Sequence, residues 1–311
     1  MKNIVIVDGV RTPFGRMGGG LRQFFPADLG GIVIKKLVER AQLDPKELDA
    51  VYMGAAVGDG HCANIARYAA LSAGLPYDVS AVFVEMQCGS AIAALNHAAF
   101  RIMAGDAECV IVGGAESFSQ YFFKFSAARE PYKMLPPTPI PGGLAPKEED
   151  RLVMLQISDK MADIWGVTRG ECDAYALRSQ QLAANALERG FLDNQIVPVT
   201  IPATKKTPEI IVSKDEHPRP QSTLEGLAKL NPVYENGVTT AGNASGRNDG
   251  ASALLMMTEE KARALGYTPI ARWVDGTDVG VDPKLMGIGP AYSNMKLLNR
   301  RGLKPSDIDV F

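Results

Sequence analysis

Only four cysteines (Cys62, Cys88, Cys109, Cys172) occur in 311 residues, and no two form a C-x-x-C pair. That excludes a disulfide framework and a thiolate zinc site, and it points to a reducing compartment. Histidine is scarcer still, with three in the chain. Charge of neither sign dominates: 33 Lys and Arg against 35 Asp and Glu leave a net −2. Nothing in that balance recommends nucleic acid or an anionic membrane as partner, so an anionic ligand must be held by a local cluster of cations. No apolar run reaches the roughly 18 residues of a membrane span. The opening "MKNIVIVDGVRTPFG" is a strand-like run interrupted at Asp8, too short for a signal peptide. The expectation is a cytoplasmic protein with no membrane or nucleic-acid partner and no bound metal.

What is present suffices for a large core. Hydrophobic residues make up 46% of the chain and charged ones 22%, ordinary values for a folded protein long enough for two domains or for one with a large insertion. Over the first 117 residues, short apolar runs ("NIVIVDGV", "AVYMG", "AVFVEM", "ECVIVGGAE") alternate with helical patterns. Their continuous apolar character suits strands covered on both faces. Between the first two, Leu29, Val33, Leu37 and Ala41 make one apolar stripe of a helix. The β-α-β-α-β-α-β order predicts an α/β layered domain with a largely parallel sheet. From residue 118 the character changes to a proline-rich stretch without sustained period. Helix then returns in "TRGECDAYALRSQQLAANALERG", with a Thr168-x-x-Glu171 capping box and Gly190 as C-cap. Basic residues scattered over 200–235 precede the strand "SALLMM", which resumes the first domain's style.

The chain also repeats itself. "KKLVERAQLDPKELDAV" (35–51) matches "MKLLNRRGLKPSDIDVF" (295–311) at a constant offset, pairing Leu37 with Leu297, Arg40 with Arg300 and Pro45 with Pro305. On the same reading, "PIARWVDGT" echoes the first strand. A second copy of the domain thus begins near residue 269 and stops at its second strand, and its counterpart of Cys88 would fall beyond Phe311. The expected division is 1–117 with 248–268 as a first half, 118–247 as an insertion, and 269–311 as the start of a second half.

Cys88 stands at the seam of "VFVEMQCGSAIAAL", where a strand meets a helix of small residues. Two readings compete. A cysteine at a strand end is a small buried hydrophobe. A cysteine in the first turn of a helix faces unpaired N–H groups and the positive end of the dipole, which stabilise a thiolate nucleophile. Acyl chemistry also needs a base and oxyanion donors. His97 lies nine residues along the same helix, about 13 Å away by the helical rise, and cannot serve. His61, in "GDGHCANIAR", reads as a surface or interface residue, and His217, in "DEHPRP", as a solvated loop residue. No base for Cys88 can be assigned.

Taken together, "VRTPFG", "QCGSA", "GGAESFS", "DEHPRP", "TTAGNASGRNDGASALLMM" and "MGIGP" resemble the thiolase family in order and spacing over the whole chain. The family's Asn-Glu-Ala-Phe, Gly-His-Pro and Cys-x-Gly-Gly-Gly segments are not in the sequence. The resemblance implies a layered α-β-α-β-α fold of two related halves, the second incomplete here, with an inserted loop domain that binds coenzyme A. It implies an acyl-CoA C-acetyltransferase that runs reversible Claisen chemistry through an acyl-cysteine, with coenzyme A thioesters as substrates, no further cofactor, and a homodimeric or homotetrameric assembly. Carried over, Cys88 is the nucleophile, Ser245 sits against the pantetheine, Arg219 lies near the nucleotide end, Leu230 and Ala241 line the tunnel, and Met154 lines the acyl pocket. Glu116 and the glycines before it are read as shaping a strand end rather than touching substrate. Ala91, Phe118 and Arg247 depart from the family's usual glycine, methionine and aliphatic residue, and Val153 stands at the family's histidine beside the acyl pocket, a substitution that leaves substrate preference open. Two alternatives remain: a ketoacyl-synthase-type condensing enzyme, disfavoured by the long basic insertion, and a non-catalytic acyl-CoA-binding subunit. The expectation for this chain alone is acylation of Cys88 without condensation.

Overall fold

The computed structural model describes residues 2–126, 136–140, 143 and 145–311. The proline-rich stretch expected to be irregular lies in part outside them, at 127–135, 141, 142 and 144. In chain order the elements are β1 (Ile4–Arg11), β2 (Gly15–Arg16), α1 (Pro26–Ala41), β3 (Ala50–Gly54), α2 (Ile65–Ser72), β4 (Ser80–Val84), α3 (Ser90–Ala104) and β5 (Cys109–Ser117). There follow α4 (Met154–Trp165), α5 (Arg169–Glu188), β6 (Val199–Ile201), β7 (Ile210–Val212), α6 (Leu224–Ala228), β8 (Asn248–Thr258), α7 (Glu259–Ala264), β9 (Ala271–Trp273) and α8 (Gly289–Arg301). Two compact units divide the chain: residues 1–121, 186–218 and 246–276 form the first, and 122–185, 219–245 and 277–311 the second.

The first unit is built on one sheet in the order β4-β3-β5-β8-β1-β9, with β2 paired to β8. Side chains alternate along each strand, so every central strand feeds two cores. Val5, Val51, Met53, Ile111, Ala253, Leu255 and Met257 point to the face covered by α1 and α2, where they meet Leu29, Val33, Ile34, Leu37, Ile65 and Ala69. Ile4, Ala50, Tyr52, Val110, Val112 and Met256 point to the other face and meet Ala94, Ala98, Ala99 and Ile102 of α3. This explains why the strands read as unbroken apolar runs. The expected stripe is buried at Leu29, Val33 and Leu37, and Ala41 is half-buried.

The sheet is mixed rather than largely parallel. β3 runs parallel to β4 and β5, while β8 is antiparallel to both β5 and β1. The alternation of strands and helices counted the crossovers correctly. It could not show that a strand arriving after a long excursion would enter between β5 and β1. β9, read as the opening of a second copy, is the edge strand of this sheet, antiparallel to β1.

Local signals hold elsewhere. The α5 capping box forms, with Glu171 Oε2 accepting the Thr168 N–H at 2.8 Å and Thr168 Oγ1 accepting the Glu171 N–H at 3.3 Å. Gly190 follows α5 at φ +64°. The repeat shows as matching local conformation. α1 ends on Gln42 at φ +51° and α8 on Gly302 at φ +68°, and each is followed by a 3-10 turn, Pro45–Glu47 and Pro305–Asp307.

Candidate active site

Parallel strands β3, β4 and β5 end together at one rim of the first unit's sheet, the side on which such folds place ligands. Cys88 is there. It lies one residue ahead of Gly89, the N-cap of α3, and so just before the helix rather than in its first turn. Glycine at the cap leaves the chain free to turn, and Gln87 before it adopts φ +49°. A non-glycine residue in that region costs on the order of 1–3 kcal/mol and persists only where its surroundings impose it. The surroundings can be named. Glu85 Oε1 accepts the Gln87 N–H at 2.9 Å. Ser90, 2% exposed, accepts the Met86 N–H on its Oγ at 2.8 Å, and its hydroxyl is shared between the carbonyls of Gln87 at 2.5 Å and Ala55 at 3.1 Å.

The strand ends are shaped to admit this turn. A Cβ on Gly54 would lie 2.3 Å from the Ser90 carbonyl carbon, and one on Gly114 would lie 2.9 Å from Ala91 Cβ. Glycine is therefore required where β3 and β5 pass beneath the start of α3. Glu116, at the end of β5, accepts the Ala56 N–H at 2.7 Å. Burial nonetheless pushes its carboxyl above the usual range, against the lowering effect of N–H groups from Ala56, Val57 and Ser117.

Among the four cysteines Cys88 alone is exposed. Cys109 is sealed in the core, where burial pushes its thiol to about 12. Cys62 is pushed to about 11, first by burial and then by Asp59. None of the three histidines bonds Cys88. His61 stacks on Phe25 and hydrogen-bonds Tyr68 Oη at 3.2 Å, and His97 is exposed on α3. His217 is not the solvated residue expected. Its ring packs against Gly246, where a Cβ would meet it at 2.4 Å, and its Nε2 is buried without a partner. Phe118 and Arg247, two departures from the family pattern, face each other, with the guanidinium 5.9 Å from the ring centroid.

The remaining expected site residues belong to the second unit. Ala241 and Leu230 are brought together there: Gly242, next to Ala241, lies so close to Leu227 and Leu230 that a Cβ would meet their side chains at 2.5 and 2.6 Å. Ser245 follows three residues further along the same segment. Asn243 braces the segment, its Oδ1 accepting the Thr240 N–H at 2.7 Å and its Nδ2 donating to Asp173 Oδ1 at 3.0 Å. Asp173 is 2% exposed and also accepts from Arg169 Nε at 2.8 Å, while Arg169 Nη2 reaches the carbonyls of Leu227 and Leu230. Asp159 of α4 accepts the N–H groups of Val238 and Thr239. The exposed Arg219 is anchored through its N–H to Gln180 Oε1 at 2.7 Å. Met154 is half-exposed at the first residue of α4.

Asp159, Arg169 and Asp173 were not singled out from the sequence, and Ser90 was read only as one of the small residues that leave room beside Cys88. The i,i+4 spacing of Arg169 and Asp173 is a local signal, but the bonds of Asp173 to Asn243 and of Asp159 to Val238 and Thr239 span 70 to 80 residues, and no local pattern marks those.

The family model described as thiolase, N-terminal domain, matches residues 4–260, and the one described as thiolase, C-terminal domain, matches residues 267–311. The chain belongs to the thiolase family. It is 40% identical to a probable acetyl-CoA acyltransferase of Staphylococcus epidermidis, over 100% of this chain and 80% of that protein. It is also 40% identical to a 3-oxoadipyl-CoA/3-oxo-5,6-dehydrosuberyl-CoA thiolase of Escherichia coli, with the same coverage. The crystal structure of the Bacillus anthracis acetyl-CoA acetyltransferase superposes with a TM-score of 0.91 at 38% identity, covering 100% of this chain and 79% of that one. For this thiolase the layered α/β fold expected from the motifs is the fold observed. No helix among the described residues is long and apolar enough to cross a membrane.

Proposed function

We propose that the chain acts as a thiolase-type acyl-CoA C-acetyltransferase, with Cys88 as the acyl-carrying nucleophile. The thiolate sulfur attacks the thioester carbonyl of an acyl-CoA, the carbon–sulfur bond to coenzyme A breaks, and coenzyme A leaves as its thiol after taking up a proton. The Cys88 N–H would donate to the oxyanion. A second acetyl-CoA, its α-proton taken by a base, would attack the acyl carbonyl through its α-carbon; as the carbon–carbon bond forms, the bond from the acyl group to Cys88 Sγ breaks and the thiolate leaves, giving 3-ketoacyl-CoA, and thiolysis is the reverse. The observation that carries this reading is Cys88 itself, exposed on a constrained turn at the carboxyl ends of parallel strands. Relatives named as acetyl-CoA acyltransferase and as thiolase support it.

Ser245, Ala241 and Leu230 would hold the pantetheine arm, Arg219 the nucleotide phosphates, and Met154 the acyl group. Coenzyme A thioesters are substrates here, so the reading calls for no separate cofactor. A homodimer or homotetramer in the cytoplasm completes it. Incubation with acetyl-CoA followed by intact-mass measurement is the test. One acetyl group should be gained on Cys88 and none on the Cys88→Ala variant. Acetyl-CoA binding without any mass gain would instead make the chain an acyl-CoA-binding subunit.

A further inference from the structure

Behind Cys88 runs a connected set of contacts that the reaction as written does not use. Glu116 Oε2 accepts the Ala56 N–H at 2.7 Å, fixing the chain where it leaves β3. The carbonyl of the preceding residue, Ala55, lies 3.1 Å from the Ser90 hydroxyl and shares its single proton with the Gln87 carbonyl at 2.5 Å. Ser90 Oγ in turn accepts the Met86 N–H at 2.8 Å, and the Ser90 N–H donates to the Gln87 carbonyl at 3.0 Å. Cys88 lies inside the loop that these last two bonds close.

From this geometry we infer that Glu116 is a positioning residue for Cys88, acting through Ala56, Ala55 and Ser90. The inference rests on the acyl-transfer reading above. Glu116 does not touch the sulfur. Its contribution is acceptance of a backbone N–H, which sets where the Ala55 carbonyl stands and hence where the Ser90 hydroxyl pulls the turn. Two facts make the link stiff. Gln87 stands at φ +49°, a conformation the turn holds only while its bonds hold it. Gly54 and Gly114 let the strand ends touch the start of α3, so a shift at β3 or β5 is passed to Ser90 and Ala91 with little slack. Displacement of a nucleophile by about an ångström is enough to slow its chemistry by one to two orders of magnitude.

The test compares wild type with Glu116→Gln, Glu116→Ala and Ser90→Ala, with circular dichroism and melting as controls for folding. Two rates are read: alkylation of Cys88 by iodoacetamide, and acetylation of Cys88 by acetyl-CoA as a function of its concentration. Glu116→Ala and Ser90→Ala should each lower the maximal acetylation rate about tenfold and leave the half-saturating concentration unchanged. Glu116→Gln, which keeps an oxygen for the Ala56 N–H, should stay within about threefold of wild type. A Glu116→Gln variant as slow as Glu116→Ala would overturn the inference, because charge and not acceptance would then matter. So would a Glu116→Ala variant with wild-type rates. Should Glu116→Ala fail to fold, Ser90→Ala decides: wild-type rates there overturn the inference. If wild type is never acetylated, the acyl-transfer reading falls, and the alkylation rates alone decide whether Glu116 positions the thiol.

Discussion

At the scale of single residues, environment separates four chemically identical thiols. A thiol titrating near 11 or 12 is protonated at pH 8, leaving roughly one thiolate in a thousand at Cys62 and one in ten thousand at Cys109. Burial also raises Cys172. Brief iodoacetamide treatment at pH 8 should therefore mark Cys88 first, the half-buried Cys62 slowly, and the sealed Cys109 only after unfolding. Peptide mass mapping checks it, and faster labelling of Cys62 than of Cys88 would contradict the assignment of environments. Cys88 itself was legible because a strand-like run, a cysteine and a run of small residues adjoin in sequence. The burial of the other thiols was not, since nothing within ten residues of Cys109 reveals that it will pair with Met257 of β8 inside the packed core. His217 shows the same limit. A turn-rich neighbourhood suggested solvent, and the approach of Gly246, far along the chain, removed it.

At the scale of elements, glycines decide how closely helix and strand approach. Gly54→Ala should cost about 1–3 kcal/mol, because the added methyl meets backbone of α3 that cannot rotate away. Denaturant titration would read it as a lower midpoint with unchanged slope. In the second unit, Asp173 carries an ion pair to Arg169 and a hydrogen bond to Asn243 from a buried position. Asp173→Ala strands Arg169 and frees Asn243, with an expected cost of about 3 kcal/mol, the lower end for a buried pair because Arg169 keeps some access to water. On the proposed function it should also raise the half-saturating acetyl-CoA concentration, since the 238–245 segment loses its brace. Unchanged stability would show that the segment is held by other contacts. The capping box of α5 and the glycine caps were readable because such signals are written within a few residues.

At the scale of the whole molecule, a net charge of −2 gives no general attraction for a polyanion, so the proposed coenzyme A site must rely on local cations such as Arg219. Acetyl-CoA binding should weaken as salt rises from about 0.05 to about 0.5 M, and Arg219→Ala should flatten that dependence. Calorimetry at several salt concentrations measures both, and an Arg219→Ala variant with the wild-type salt response would remove Arg219 from the nucleotide end. What the sequence determined by itself was whatever depends on neighbours in the chain: strand and helix identity, caps, the family's motifs, and the repeated helix and turn at 35–51 and 295–311. Tertiary structure alone decided the antiparallel insertion of β8 between β5 and β1, the constrained turn that exposes Cys88, and the buried Asp173 that braces the 238–245 segment. The reason is physical. Local conformation follows from bonding within a few residues, whereas strand order, burial and the pairing of distant polar groups depend on which surfaces the packed core brings together.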